Sequence, residues 1–367
     1  MSVKENFIQH LTAQFSNLFV DKLTALISDN LISPYILKLP QSTLTDIQNE
    51  IRDIYKLRAW SEKHLADQFK STGLPIVKNN SVCMSYDFHL TPEKNLKLIE
   101  INTNASFLAL GLSLYDFWKV NPQNKFSFSK LIAMFQHEAE LLGNKSMPIS
   151  IMDESPTEQR LFSEFLIYQQ LLNANILDIK DIQKIKNETL IYNRYTDFYL
   201  SEDKSAPVKK LYQEGCIHLT PSPWEYFLLA DKQRLFDWTQ QTEIPHPKSL
   251  LKIYDLSSTP IDIIQTEKKN LFFKPKSSYG GKQAYKGSGI SSKMLNSAIE
   301  QGFIAQEYAE PSEVDVMINN EPVKFKYDLR CYAYKDELQL VIARLYQGQT
   351  TNLKTFGGGF AVVDFTG

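Results

Sequence analysis

The segment spanning residues 271–289 combines backbone and side chains suited to binding phosphate. An apolar run delivers Lys274, and the stretch that follows is rich in glycine and lysine, including Gly280, Gly281 and Lys282. Glycines let backbone N–H groups point towards an anion, and ammonium groups supply the opposing charge. The spacing is neither that of a P-loop nor that of a GxGxxG turn. Taken alone, the segment predicts either a phosphate-binding loop or a solvent-exposed, lysine-rich hairpin tip.

A candidate metal site lies much earlier in the sequence. Asp87 is followed by Glu100 and Asn102, which lie within the extended run LKLIEINTN. Residues two apart on a strand point to the same face, so Glu100 and Asn102 are predicted to be neighbours. Divalent cations such as Mg²⁺ prefer oxygen ligands. The pattern therefore predicts a metal site made of Asp87, Glu100 and Asn102.

The order of these features along the chain is informative. Lys232 follows Asp231 in LLADKQRLFDW, Lys274 comes next, and the run FIAQEY follows the glycine-rich segment. This order resembles the ATP-grasp superfamily, in which two α+β subdomains enclose the nucleotide. The resemblance implies that residues 307–309 form the adenine-binding hinge. The full set of ATP contacts that it implies is Lys232, Lys274, Gly280, Gly281, Lys282, Gln306, Glu307, Tyr308, Ala309 and Asp328.

The sequence also resembles eukaryotic-type glutathione synthetase, a family whose ATP-grasp fold is circularly permuted. The run IEINTNASF is close to that family's IEINT-x-SASF, and TEQRLFSE, TLIYNRYTDFY and GGGFAVVDF match three further segments in the same order. These patches cover residues 81–365. The resemblance implies an α/β (α+β) fold, namely a circularly permuted ATP-grasp fold with an inserted parallel α/β substrate domain and N-terminal helices.

The same resemblance implies roles for further residues. The implied substrate-binding set is Ser106, Gln159, Arg194, Arg344, Gly358 and Gly359, and the implied catalytic set is Arg344 and Lys274. The implied function is that of an ATP- and Mg²⁺-dependent carboxylate–amine ligase that acts through an acyl-phosphate. Two positions depart from the family pattern: Ser278 stands near a metal-binding glutamate of the family, and Met84 stands near one of its arginines. A non-catalytic ATP-binding regulatory module and a carboxylate kinase are the alternatives.

The hydrophobic pattern predicts the elements that must position these residues. Residues 1–80 are predicted to be helical, and residues 81–147 to hold a hairpin and helices with the metal site. Residues 148–222 show a strand–helix–strand pattern, which is typical of a parallel α/β layer. The resemblance implies that this layer is a substrate-binding domain and that residues 223–367 form the nucleotide-binding domain with a glycine-rich flap. A second N-terminal helix is predicted to start at Ser42 or Thr43.

The composition limits the classes of protein that fit. The chain has 367 residues, 43% of them hydrophobic, with 40 Lys+Arg against 42 Asp+Glu. This apolar content excludes a disordered chain, the balanced charge indicates no nucleic-acid-binding face, and the apolar runs are too short to span a membrane. The resemblance implies small-molecule carboxylate and amine substrates. Cys83, Cys216 and Cys331 are far apart, which is typical of a reducing compartment, so a cytoplasmic location is predicted. A homodimer is left open, and the isolated His89 is interpreted as a packing residue.

Overall fold

The computed structural model describes residues 2–276, 284–318 and 321–366. Its strands are β1 (Leu37–Lys38), β2 (Met84–Leu90), β3 (Leu96–Asn102), β4 (Ile149–Asp153), β5 (Asn175–Asp178), β6 (Thr189–Asn193), β7 (Ile217–Thr220), β8 (Ile253–Asp255), β9 (Leu271–Lys274), β10 (Tyr285–Lys286), β11 (Ile304–Glu307), β12 (Glu313–Ile318), β13 (Glu321–Tyr334), β14 (Glu337–Tyr346) and β15 (Gly359–Asp364). Within these residues the strands form three sheets, which confirms the predicted mixed α/β class.

The α-helices of the described residues cover these sheets. They are α1 (Val3–Gln14), α2 (Val20–Leu26), α3 (Gln41–Lys70), α4 (Leu108–Trp118), α5 (Phe128–Leu141), α6 (Phe162–Leu172), α7 (Ala206–Gln213), α8 (Pro223–Leu229), α9 (Lys232–Gln240), α10 (Ile261–Glu267) and α11 (Ser292–Glu300). None of the helices in this part of the chain has both the length and the apolar character needed to cross a membrane.

The seven-stranded central sheet positions the predicted metal site. Its order is β1-β15-β14-β13-β2-β3, and β12 extends it by pairing with β13. Strands β2 and β3 are antiparallel, which confirms the predicted hairpin. Asp87 of β2 lies opposite Glu100 of β3 on one side and opposite Arg330 of β13 on the other. Residues that are far apart in the sequence therefore meet on one stretch of this sheet.

Helix α3 packs an apolar stripe against the central sheet. Ile47 and Ile51 are completely buried, and they share a core cluster with Tyr86 of β2. The helix begins at Gln41, directly after Pro40, slightly earlier than the sequence predicts. Proline has a fixed φ and no backbone N–H, so it ends the extended segment and lets the helix start at the next residue.

A four-stranded parallel sheet in the order β5-β4-β6-β7 confirms the predicted parallel α/β layer. The sequence does not predict β5 or β7, because each has only four residues and β5 is not fully buried at any position. Asp153 ends β4, and Arg194 directly follows β6. The carboxyl ends of parallel strands meet at one edge of the sheet, where α/β folds commonly bind ligands.

A third sheet, antiparallel and in the order β10-β9-β11-β8, carries Lys274 and Gln306. Strands β9 and β11 confirm two predicted strands, and they pair directly with each other. Gly287 directly follows β10 and is closely packed. A Cβ atom at this position would lie 1.6 Å from the backbone oxygen of Lys268. The predicted flap residues Ser278, Gly280, Gly281 and Lys282 lie outside the described residues.

Candidate functional site

A cavity of about 500 Å³ gathers most of the residues that the sequence predicts to bind ligands. The predicted residues that line it are Asp87, Glu100, Asn102, Ser106, Gln159, Arg194, Lys232, Lys274, Gln306, Glu307, Tyr308, Ala309, Asp328 and Arg344. They belong to all three sheets or to segments next to them. The tertiary structure therefore joins the predicted metal, nucleotide and substrate residues into one site.

The predicted substrate-binding residues divide into two groups. Ser106 and Gln159 line the cavity, whereas Gly358 and Gly359 do not. Gly359 has a φ of +101°, and a Cβ atom there would lie 2.5 Å from the backbone oxygen of Asn30. These glycines allow close packing of backbone at the start of β15, and the contact with substrate that the sequence predicts for them stays a prediction.

Lys274 is buried at the end of β9, where its ammonium group reaches the central sheet. Its Nζ donates to the backbone oxygen of Ile99 at 3.0 Å and to Oε1 of Gln306 at 2.7 Å. Burial lowers the pKa of Lys274 to about 8, although the negative charge of Glu100 opposes this effect. An anionic ligand would restore the charged form of a lysine held in this way.

Gln306 uses both ends of its amide inside the protein. It is 2% exposed, and its Nε2 donates to the backbone oxygen of Leu98 at 3.1 Å while its Oε1 accepts from Lys274. Gln306 therefore positions Lys274 against β3, and the contact with ATP that the sequence predicts for it stays a prediction.

Lys232 is the first residue of helix α9 and lies near the carboxylate of Glu100. Asp231 caps the helix, since its Oδ1 accepts from the backbone N–H of Gln233 at 2.9 Å. Burial lowers the pKa of Lys232, and the negative charges of Glu100 and Asp231 oppose the shift. Because Glu100 also acts on Lys274, the two lysines and this carboxylate are close enough to form one electrostatic group.

Asp87 is the centre of a buried hydrogen-bond network. Its Oδ1 accepts from Ser85 Oγ at 2.9 Å and from Arg330 Nε at 3.1 Å. Its Oδ2 accepts from Arg330 Nη2 at 2.7 Å, from Arg344 Nη2 at 2.8 Å and from Asn102 Nδ2 at 3.2 Å. Burial alone would raise the pKa of Asp87, but the two arginines outweigh it and lower the pKa to about 2. Asp87 thus holds two arginines, and the role of metal ligand that the sequence predicts for it stays a prediction.

Glu100 and Asn102, on β3, are the other two predicted metal-binding residues, and each carries a side-chain oxygen. Asn102 Nδ2 donates to Glu100 Oε1 at 3.3 Å, so the two side chains share a strand face as the spacing predicts. The described residues contain no group of three or more His, Cys, Asp or Glu side chains that could hold a metal. Mg²⁺ is often held by one or two protein oxygens and completes its shell with phosphate and water. Glu100 and Asn102 fit that mode of binding.

Asp328 anchors Arg344. The two residues lie opposite each other on β13 and β14. Asp328 Oδ1 accepts from Arg344 Nε at 2.6 Å, and its Oδ2 accepts from Arg344 Nη2 at 3.1 Å. The hydroxyl of Thr351, from the loop between β14 and β15, also donates to Oδ2. Asp328 therefore fixes Arg344 and this loop, and its predicted contact with ATP stays a prediction.

Arg194, Arg160 and Asp153 line the end of the cavity next to the parallel sheet. Arg194 Nη1 donates to the Tyr192 hydroxyl at 3.4 Å, while its Nε is buried without a partner among the described residues. Burial raises the pKa of Asp153, and the positive charge of Arg194 opposes this. A buried guanidinium N–H without an acceptor is costly. This end of the cavity is therefore suited to an anionic group of a ligand.

Residues 307–309 lie on the cavity wall, where the sequence places an adenine hinge. The Nζ of Lys286 lies 3.9 Å from the ring centroid of Tyr308. His89 Nδ1 donates to the backbone oxygen of Ala309 at 2.7 Å, and burial lowers the pKa of His89. His89 is thus more than the packing residue predicted, because it ties the β2–β3 hairpin to the hinge.

Sequence reasoning misses two cavity-lining arginines, Arg160 and Arg330. Arg330 stands two residues after Asp328 in the buried strand β13, so the spacing already indicates that both point to one face. A charged residue in the middle of a buried strand was therefore a signal for Arg330. Arg160 follows Gln159 in a turn and has no such pattern.

Comparison with known proteins identifies the fold. No protein-family model matches the sequence, and no curated protein matches it. The chain is similar in structure to a glutathione synthetase-like effector from Globodera pallida, solved in its apo form, with 10% identity and a TM-score of 0.60 over 91% of this chain and 90% of that chain. A protein provisionally named gamma-glutamylcysteine synthetase from Methylobacillus flagellatus gives 12% identity and a TM-score of 0.43 over 85% of each chain. The first similarity shows that this chain has a glutathione synthetase-like fold, whereas the TM-score of the second does not define a shared fold.

Proposed function

We propose that this chain is an ATP- and Mg²⁺-dependent carboxylate–amine ligase that binds its substrates in the 500 Å³ cavity. In the first step a substrate carboxylate oxygen attacks the γ-phosphorus of ATP, the bond to the β–γ bridging oxygen breaks, and ADP leaves. In the second step an amine attacks the acyl carbon, phosphate leaves with the former carboxylate oxygen, and the amine loses a proton. The circularly permuted ATP-grasp arrangement is part of this proposal.

The pairing of Lys232 and Lys274 with Glu100 carries the proposal. Two lysines whose pKa values are lowered by burial lie in the field of one carboxylate. Among the described residues, six Lys and Arg side chains and five Asp and Glu side chains line the cavity, a difference of one positive charge, so a bound Mg²⁺ would be needed to offset the charge of ATP. Phosphoryl transfer requires positioned cations and oxygen ligands for a metal, and this group supplies both.

The proposed roles follow the position of each residue in the cavity. Lys232 and Lys274 contact the ATP phosphates, and residues 307–309 contact adenine. Mg²⁺ would be held by Glu100 and Asn102, and when bound it would neutralise phosphate charge. Of the four proposed units, residues 81–147, 148–222 and 223–367 line the cavity, and no described residue of the unit 1–80 does.

The substrate acyl group is assigned to the opposite end of the cavity. The guanidinium of Arg194, which lines the cavity, would donate to a substrate carboxylate that does not react, with Ser106 and Gln159 beside it. Arg344, fixed by Asp328, would face the reacting group. A planar guanidinium suits this task because it binds carboxylate through two parallel hydrogen bonds and remains charged.

The test is ADP release from Mg·ATP with a panel of small carboxylates and γ-glutamyl peptides. Each is assayed with and without glycine or polyamines, and products are identified by mass spectrometry. The ligase predicts ADP release that depends on both a carboxylate and an amine, with a new amide mass. Release that needs no amine would indicate a carboxylate kinase instead.

A non-catalytic ATP-binding regulatory module is the second candidate, and one observation favours it. The sequence has no Asp or Glu between Glu267 and Glu300, so the glycine-rich segment supplies no carboxylate to a metal. Tight ATP binding without turnover under every pair of substrates would favour this module over the ligase.

A further inference from the structure

Two arginines on neighbouring strands share one buried carboxylate. Arg330 of β13 and Arg344 of β14 each place an Nη2 atom on Asp87 Oδ2, at 2.7 and 2.8 Å. Arg330 also donates through Nε to Asp87, and Arg344 donates through Nε to Asp328. Two guanidinium groups that would repel each other are therefore held together by Asp87 and Asp328 between them.

The unused nitrogen is the same in both arginines. Every hydrogen bond that these two guanidinium groups make with the described residues uses Nε or Nη2. The two Nη1 atoms have no partner there, and neither belongs to the buried, unpaired polar atoms of the described chain. Both arginines line the cavity. Each therefore presents one amino group with two N–H donors to whatever fills the cavity.

These donors are fixed in place before any ligand arrives. The side chains of Arg330 and Arg344 are only 10% and 14% exposed, and each is held by at least two hydrogen bonds to carboxylates. Binding an anion here would cost little side-chain entropy. Asp87 also pairs with Glu100 across the β2–β3 ladder, so the arginine pair lies one strand away from the proposed metal residues.

We propose that Arg330 and Arg344 form a twin-guanidinium site whose two Nη1 groups bind the oxygens of an oxyanion. This inference rests on the proposed function, which supplies two such groups: the reacting carboxylate and the transferred phosphoryl group. Arg330 is the new element, because its spacing to Arg344 turns one arginine contact into a two-sided clamp. Such a clamp positions the acyl-phosphate oxygens while Lys274 and Lys232 serve the nucleotide.

The test uses inorganic phosphate and glutarate as probes of the two oxyanions. Each is titrated calorimetrically into the full chain, with and without saturating Mg·ADP. Arg330→Lys keeps the charge beside Asp87 but lacks the second amino group, and Arg330→Gln removes the charge. Arg52→Lys and Arg52→Gln, on the exposed face of α3, are the matched controls. Thermal unfolding identifies any variant that fails to fold, and Arg330→Lys retains a cation for Asp87 for that reason.

The expected result is a rise of at least tenfold in the Kd for phosphate, glutarate or both in the Arg330 variants, with ADP affinity unchanged. The anion that loses affinity identifies the source of the oxyanion. Wild-type binding of both anions by folded Arg330→Lys and Arg330→Gln would overturn the site, as would the absence of millimolar binding of either anion to the wild-type chain. Failure of the proposed function would look different, because ADP release would not depend on an amine while the titrations with phosphate and glutarate still tested the arginines.

Discussion

Lys274 Nζ lies 2.7 Å from Gln306 Oε1, and this hydrogen bond joins the neighbouring strands β9 and β11. Gln306 Nε2 and Lys274 Nζ both also donate to β3, at Leu98 and Ile99. The three hydrogen bonds fasten the small antiparallel sheet to the strand that carries Glu100. The lysine proposed to contact phosphate is therefore fixed relative to the proposed metal residues.

Removing the Gln306 acceptor should weaken ATP binding. In Gln306→Met the side-chain volume is kept, but Lys274 loses one of its two acceptors in the described structure. A hydrogen bond to a charged group contributes about 1.5–3 kcal/mol, so we expect the Kd for ATP to rise by about tenfold or more. Gln306→Glu restores an acceptor for Lys274 and should recover part of the affinity below the pH at which Lys274 loses its proton. Unchanged ATP affinity in a folded Gln306→Met variant would contradict the positioning role.

The pH dependence of ATP binding should follow Lys274. Its pKa in the folded protein is lowered from 10.5 to about 8 by burial, so the ammonium group loses its proton as the pH rises through that value. We expect the affinity of the free protein for ATP to be complete below this pH and to fall above it. Lys274→Arg keeps a charge at every pH and should remove the fall. The same alkaline decline in both proteins would assign it to another group.

Glu100 should be indispensable for Mg²⁺-dependent turnover. Glu100→Ala removes the one carboxylate of the proposed metal pair, and loss of a metal contact typically costs about 10–100-fold or more in affinity or activity. ADP release is the measurement, and circular dichroism checks the fold. Glu313→Ala, at an exposed position of β12, is the matched control. Full activity of Glu100→Ala would exclude this metal site.

Stability should fall with pH because of Glu138, a buried carboxyl on α5. It accepts from the backbone N–H of Asn80 at 2.8 Å, and burial raises its pKa from 4.5 to about 7. The folded state therefore keeps a proton that the unfolded state loses first, so its contribution is complete below the unfolded pKa and is lost as the pH rises through about 7.

This loss amounts to at most about 3 kcal/mol in the free energy of unfolding, and urea unfolding across this pH range measures it. Glu138→Gln should flatten the dependence, whereas Glu140→Gln on the exposed face of the same helix should leave it unchanged. Parallel pH profiles for the wild type and Glu138→Gln would contradict the assignment.

Substitution by alanine should change the stability of the protein differently at two glycines that are two residues apart. A Cβ atom at Gly287 would lie 1.6 Å from the Lys268 backbone oxygen, whereas at Gly289 it would meet nothing within 4 Å. We expect Gly287→Ala to lower the free energy of unfolding by about 1–3 kcal/mol or more, and Gly289→Ala to change it by less than about 0.5 kcal/mol. Equal effects in thermal unfolding would show that the backbone near Lys268 can move aside.

The sequence pattern was sufficient to predict elements whose residues lie close together in the sequence. The β2–β3 hairpin and the parallel pair β4 and β6 follow from short apolar runs and the turns between them. The shared face of Glu100 and Asn102 follows from the period of a strand. None of these depends on what the rest of the chain does.

The partners of charged groups could not be predicted in this way. Asp87 resembles a metal ligand in the sequence, but its carboxylate pairs with Arg330, 243 residues away. A carboxylate has the same local pattern whether its partner is a metal or a guanidinium. Gly358 and Gly359 are similar, because close approach to a ligand and close approach to the backbone oxygens of Leu345 and Asn30 both require glycine.

The parallel pairing of β1 with β15 has a consequence for the order of folding. Leu37 lies beside Val363, so the edge of the central sheet closes a loop of more than three hundred residues. During synthesis on the ribosome, the first strand has no partner until nearly the whole described chain has been made. The conformational entropy lost in closing such a loop is therefore lost late in synthesis, and the edge of the sheet at β14 stays unpaired until then. A chaperone that shields unpaired strands would have its longest opportunity on this protein before residue 359 leaves the exit tunnel.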